Sequence, residues 1–283
     1  MSIDVIVVTR GHAFDRNAFL AMFDAMPDVQ PVLVDQPAAQ IVLLPEYAGE
    51  YDAVLFYDMS GIPGIGLTHD GAGADGSPPA RYRAAVEGLL ERGTGLVLLN
   101  HATVSWPNWP LWRRISGSSF LLRQGDLDGV AVPGSGYRGG HGPLPNATVH
   151  LEPQGSHPVL EGLEAGFAVT DELYLKAAGF ESKVLPLLRA DYPFLVENFS
   201  PPPLAPPSEQ AAWDHPPGSD LLAWANAAGR SPVVVSDLGD GPSAFANQGF
   251  RTFLHNALAW VASEEARRWA AGFSERRDDD GNS

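Results

Sequence analysis

The first part of the chain alternates short apolar runs with segments of helical periodicity. Ile3 to Val8 reads IDVIVV, a β-branched run with one polar break, which predicts a strand covered on both faces. Phe14, Phe19, Leu20, Met22, Phe23 and Met26 then recur at helical spacing, with Asp15 placed to cap the helix and Pro27 to end it. Val32 to Val34 and Tyr51 to Tyr57 (YDAVLFY) predict the next two strands. Met59 to Pro79, rich in Gly, Asp and Pro, predicts a loop. Arg81 to Arg92 sets Tyr82, Val86, Leu89 and Leu90 on one helix face and is closed by Gly93. Gly95 to Leu99 (GLVLL) predicts a fourth strand, and a further apolar helix is expected around Trp109 to Ile115.

The later pattern is less regular. Gly117 to Pro145 reads as a long glycine-rich loop. Ala147 to Leu151, Phe167 to Leu175, Lys183 to Arg189 and Ser231 to Leu238 predict strands, and Phe245 to Val261 predicts a long amphipathic helix. His157 to Leu163 predicts a turn and a short helix, with His157 capping it. One domain over residues 1–265 is expected, with Pro201 to Pro217 a proline-rich insertion over the site and residues 266–283 a charged, solvated tail.

Strands alternating with helices predict βαβ units, hence an α/β fold: a three-layer sandwich around a mostly parallel sheet. Ligands in such folds bind outside the carboxyl ends of the strands, near the point where strand order reverses. His12, Asp58 and His101 each follow directly on a predicted strand, so all three are expected on that edge.

Charge narrows the partners. Lys and Arg number 18 against 34 Asp and Glu, a formal net charge of -16, which disfavours nucleic acid and anionic membrane surfaces. The chain has no cysteine, which excludes disulfides, zinc–thiolate sites and a thiol nucleophile. The opening MSIDVIVV is too short to span a bilayer, and a cytoplasmic location is expected. A homo-oligomer is compatible with all of this.

The residues that carry chemistry are histidines and carboxylates. His101 ends the GLVLLN run, and the turn there is expected to aim backbone N–H groups at whatever sits above it. His101, Glu172 and His141 are the candidates for acid–base catalysis. His12, His101 and His141 are the candidate ligands for a divalent ion such as zinc. His12, Trp106, Tyr137, Asp171 and Tyr174 are candidates for holding a small ligand, with Trp106 favoured as a pocket wall and Trp109 and Trp112 as core. Ser105 lacks the frame of a serine nucleophile. His150, His215 and His255 read as structural or solvent-facing, and His69 lies in a loop.

An ordered set of motifs resembles one family. GHAFDR after the first strand, YDAVLFYD, GTGLVLLNHA, SHPVLEGLEAGFAVTDELY and VVVSDLGDG before a helix ending LAW resemble the ThuA-like (trehalose utilisation) family from about Ile3 to about Val261. The resemblance implies a class I glutamine amidotransferase-like sandwich. It also implies a role in the catabolism of a disaccharide or keto-sugar, by acid–base or metal-assisted chemistry on a small carbohydrate. A cysteine occupies the strand-end elbow of the amidotransferases; His101 stands at or near it here, so glutaminase chemistry does not carry over. His12, His101, His141, Asp171, Glu172 and Tyr174 match the family's motifs. Many relatives carry His after the Leu-Gly near the last strand, where this chain has Asp240, a further candidate for ligand binding. The loss of the cysteine keeps a second expectation open, a non-catalytic sugar-binding or regulatory module.

Overall fold

The structure is a computed structural model that describes residues 2–62, 70–127 and 129–280, with side chains up to residue 274. His69 and part of the loop after Tyr57 fall outside the described residues. In chain order the strands are β1 (Ile3–Thr9), β2 (Val29–Asp35), β3 (Ala53–Phe56), β4 (Gly95–Leu99), β5 (Gly125–Leu127), β6 (Val130–Val132), β7 (Gly136–Arg138), β8 (Ala147–Pro153), β9 (Phe167–Asp171), β10 (Leu173–Leu175), β11 (Leu185–Ala190), β12 (Leu221–Ala228) and β13 (Ser231–Ser236). The helices are α1 (Arg16–Asp24), α2 (Ala39–Val42), α3 (Pro45–Ala48), α4 (Ala80–Arg92), α5 (Pro110–Ser116), α6 (Pro207–Ala211), α7 (Pro242–Phe245), α8 (Gln248–Val261) and α9 (Glu264–Asp280).

Among the described residues the main sheet has nine strands in the order β2-β1-β3-β4-β13-β12-β11-β8-β9. The pairings from β2 through β13 are parallel, and those from β13 through β9 are antiparallel. The period-two alternation of the buried strands divides the core. Val5, Val7 and Leu55 face α1 and α8, whereas Ile6, Val8, Val54 and Phe56 face α4 and α5. Helices therefore cover both faces of the sheet, as the α/β sandwich expectation requires. Strand order reverses at β1, whose neighbours β2 and β3 lie on opposite sides.

Local chemistry explains the main boundaries. Asp15 caps α1, its carboxylate accepting the Ala18 N–H at 3.0 Å. Gly93, left-handed at φ 74°, ends α4. His157 caps its 3₁₀ turn through Nδ1, which accepts the Val159 N–H at 3.2 Å.

Three sequence expectations change, and one strand lies where none was expected. Gly117 to Pro145 is not one loop: it holds the β5–β6 hairpin and β7, short strands whose glycines hide the alternation. The single strand expected over Phe167 to Leu175 breaks at Glu172, since β9 pairs with β8 and β10 pairs with β7. LLAWANAA, between the proline-rich segment and the last strand, forms β12 and is buried throughout. The segment from residue 266 is not a detached tail: it continues α9, which buries Ala266 and Ala270 and sets Trp269 edge-on to Trp260 and stacked on Phe273. Its apolar residues recur at helical spacing beneath the charges, and those charges mask the stripe in composition. No helix among the described residues is long and apolar enough to cross a membrane.

Candidate functional site

Three strand ends on either side of the reversal bring His12, His101 and Asp240 together. One ligand atom of each lies within 4.8 Å of the others. The imidazoles of His12 and His101 stack with centroids 3.8 Å apart, and His141 approaches His12 at 5.0 Å. His101 Nε2 lies 3.0 Å from Asp240 Oδ1. Nδ1 of both His12 and His101 is buried and has no partner.

His12 is placed by a backbone lock. Gly11 has φ 96°, and a Cβ there would fall 1.9 Å from the Met59 carbonyl oxygen. The Met59 N–H donates to the Arg10 carbonyl at 2.9 Å, which ties the end of β1 to the loop after β3. That loop is itself pinned: Ser105 Oγ donates to the Asp58 carbonyl at 2.7 Å and accepts the Ser60 N–H at 3.0 Å. Ser105 is therefore buried and committed to structure, as its unframed sequence position indicated.

The elbow after β4 is held as tightly. Its left-handed residue is Asn100, at φ 46°, with His101 next to it. Asn100 Nδ2 donates to the Asp237 carbonyl at 2.8 Å, and its Oδ1 accepts the Tyr174 hydroxyl at 3.0 Å. The chain then makes one 3₁₀ turn, Asn100–Thr103, rather than a longer helix. Beneath the turn lies a fully buried ion pair, Lys176 Nζ to Asp237 Oδ2 at 2.5 Å, with Thr103 Oγ1 donating to Asp237 Oδ1 at 3.2 Å. Lys176 also sits over the rings of Trp224 and Phe180.

The far edge of the sheet closes the arrangement. The antiparallel half curls back until Asp171, last in β9, meets the loop after β13. Its carboxylate accepts the N–H of Gly239 at 2.6 Å and of Asp240 at 3.2 Å. Glu172 follows, 7% exposed, against Gly140, where a Cβ would fall 2.4 Å from Glu172 Oε1. Gly140 has φ 56°, so glycine is required there twice over.

Burial and neighbouring charge drive the ionisable groups apart. Burial, reinforced by the His101 imidazole, pulls His12 down to about 3, and burial also lowers His101. Both rings are neutral at pH 7. Burial, with the Asp240 charge adding to it, pushes Glu172 up to about 8, so its carboxyl is protonated at neutral pH. Burial raises Asp171 to about 7 against its amide donors. Burial works against ionisation of Asp240, but the hydrogen bond from His101 and the nearby imidazoles of His101, His12 and His141 together outweigh it and hold the carboxylate low. Neutral nitrogen bases, a carboxylate and a protonated carboxyl thus share one corner, a combination suited to proton transfer or to holding a cation.

The predicted residues divide accordingly. His12, His101 and Asp240 converge, with Asp171 and Tyr174 behind them as supports: Asp171 grips the Asp240 backbone, and Tyr174 grips the elbow. His141 is exposed beside His12 and outside the three-residue group, so Asp240 stands where His141 was expected as the third candidate ligand. Tyr137 is half-buried, with its ring against Gly142. Trp106 lines only a cavity of ≈ 20 Å³ beside α5. At φ 49° its ring turns inward, 1% exposed, onto Tyr82 and Gly61. Asn100, Lys176 and Asp237 were not singled out. For Asn100 and Asp237 the available signal was a polar residue closing an apolar strand; Lys176 carried none. The proline-rich segment sends Trp213 Nε1 to the Gly134 carbonyl at 2.8 Å and Leu204 into a cluster with Tyr137 and Tyr174. A groove of ≈ 520 Å³ between α5 and the β5–β6 hairpin shares no residue with the imidazole corner.

A family model described as ThuA, trehalose utilisation, matches residues 5–261. Solved structures with the same fold include a protein of Parabacteroides merdae described as ThuA-like, at 16% identity and TM-score 0.62, covering 93% of this chain and 91% of that one. Another, from Bacteroides uniformis, is described in the same way, at 18% identity and TM-score 0.58, covering 93% and 92%. A Salmonella typhimurium protein described as cytoplasmic aligns at 12% identity and TM-score 0.54, covering 91% and 98%. Among curated proteins none matches the sequence.

Proposed function

Since the chain belongs to the ThuA, trehalose-utilisation family, we propose that it acts on a small carbohydrate, a disaccharide or its keto derivative, at the imidazole–carboxylate corner. One observation carries this reading: Glu172 is a buried carboxyl that the Asp240 charge helps to raise to about 8, and Asp240 in turn meets His101, an imidazole held neutral. A protonated carboxyl at neutral pH can give its proton to a glycosidic or carbonyl oxygen as negative charge develops there. The neutral imidazoles of His12 and His101 offer nitrogen lone pairs to a substrate proton or to a cation. Tyr137 and the exposed His141 lie on the rim, where a sugar would enter. The acidic character of the corner favours an uncharged sugar over a phosphorylated one.

The second reading is a sugar-binding module without turnover. It is supported by Asn100, a residue that cannot serve as a nucleophile, in the left-handed elbow position.

Incubating the protein with trehalose, other disaccharides and their 3-keto derivatives, with chromatographic analysis of products, tests both. Turnover of one substrate is expected, falling about 10²–10⁴-fold in Glu172→Gln. It should also decline as pH rises through about 8, because the acid form of Glu172 is lost there. Full turnover in Glu172→Gln removes the acid role. Saturable binding with no product transfers the weight to the second reading.

A further inference from the structure

We propose that His12, His101 and Asp240 form a binding site for a divalent first-row transition ion of the zinc type, with at least one coordination position open toward the carbohydrate.

The geometry comes first. Two imidazole nitrogens and a carboxylate oxygen within 4.8 Å of one another match the two-His-one-carboxylate donor set. The 3.0 Å between His101 Nε2 and Asp240 Oδ1 admits a hydrogen bond. It is also the separation of two ligand atoms about 2.1 Å from a shared ion at about a right angle. A hydrogen bond alone leaves two facts unexplained. The His12 and His101 rings are stacked 3.8 Å apart, and the buried Nδ1 of His12 has no partner. Buried polar atoms are nearly always satisfied, and a cation shared with Nε2 of His101 accounts for the gathering of both rings.

The site is also preorganised. Its three ligands come from the ends of β1, β4 and β13, so the sheet fixes their spacing. Gly11 locks His12 through Met59, and Asn100 locks His101 through Asp237 and Tyr174. Asp240 is held by its backbone, its N–H by Asp171 and its carbonyl by the Tyr57 hydroxyl at 3.0 Å. Such outer supports are characteristic of built metal sites. The proposed carbohydrate chemistry bears only on what the ion does: a Lewis acid there would polarise a sugar carbonyl oxygen. Binding of the ion is an independent claim.

The test uses the full chain, stripped with chelator and titrated calorimetrically with Zn²⁺, with the visible spectrum of Co²⁺ as the probe of coordination. One equivalent should bind, and Co²⁺ should give the absorption of a low-symmetry nitrogen–oxygen site. Asp240→Asn and His12→Gln should each weaken binding by at least about 100-fold, the upper end of what losing an outer-shell support costs. His157→Gln, which changes a capping residue at another edge, should bind as the parent does. Circular dichroism checks folding, and if His12→Gln fails to fold, the near-isosteric Asp240→Asn decides. No binding, or binding unchanged in Asp240→Asn, overturns the proposal. Zinc bound without sugar turnover keeps this site and removes the enzymatic reading. Turnover by a chelator-treated protein that binds no ion does the reverse.

Discussion

Replacing Lys176 by Met isolates the buried ion pair beneath the elbow. Lys176 and Asp237 are both about 1% exposed, and the pair is 2.5 Å long. Met keeps most of the side-chain volume against Trp224 and Phe180 but removes the charge. Removing one partner of a buried pair leaves the other charge uncompensated and costs about 3–5 kcal/mol. The loss should depend on pH. Burial already raises Asp237 above its ordinary value, and the Lys176 charge is the chief influence holding it down. Without Lys176 it rises further, so the folded variant binds a proton that the unfolded chain releases. Stability then falls as pH rises above the ordinary carboxylate range. The deficit of Lys176→Met should therefore be larger at pH 8 than at pH 5. Lys176→Met with Asp237→Leu removes both charges and should recover most of the loss, because apolar replacement of a whole buried pair is often neutral or better. Thr103 keeps a partner in that double variant, since its hydroxyl also donates to the Asn100 carbonyl. Urea unfolding of the parent, both single variants and the double variant at the two pH values reads these differences. A single-variant loss below about 1 kcal/mol, or a double variant no more stable than Lys176→Met, refutes the reasoning.

Two glycine substitutions probe the locks on the site. Gly11→Ala places a Cβ 1.9 Å from the Met59 oxygen at φ 96°, so it should lower stability by more than about 1 kcal/mol and abolish ion binding, read by thermal unfolding and zinc calorimetry. Gly140→Ala drives a methyl to 2.4 Å from Glu172 Oε1 at φ 56°; it should lower stability by about 1 kcal/mol, leave zinc affinity within about threefold and cut sugar turnover at least about tenfold.

The parallel half of the fold was legible because most of its strands, β2 excepted, are largely apolar runs ended by a polar residue. β1, β3 and β4 fall where IDVIVV, YDAVLFY and GLVLL indicated, and the strand-end rule placed His12 and His101 on one edge. The antiparallel half was harder to read because its pairing depends on curvature, which no local pattern records. Nothing in TDELYL shows that its first carboxylate reaches the loop after β13 while the chain changes sheets at the next residue. Trp106 misled for a similar reason. A tryptophan beside a strand-end histidine has the composition of a pocket wall, but its left-handed backbone turns the ring into the core.

Asp171 and Glu172 show why the far edge matters to the near one. Successive side chains of extended backbone point to opposite sides, so neighbouring carboxyls can do separate work. Asp171 faces inward and grips the amides of Gly239 and Asp240, setting the carboxylate that meets His101. Glu172 faces Gly140 and the site, and is kept protonated by burial together with the Asp240 charge that Asp171 positions. The acid and the imidazole–carboxylate group are therefore not independent. Moving the edge strand would shift Asp240 away from His101 and, in the same motion, change the charge that Glu172 feels. A site assembled only from β1, β4 and β13 would hold two imidazoles and a carboxylate but no neutral acid. The curl of the antiparallel half supplies that acid and fixes its protonation in one contact.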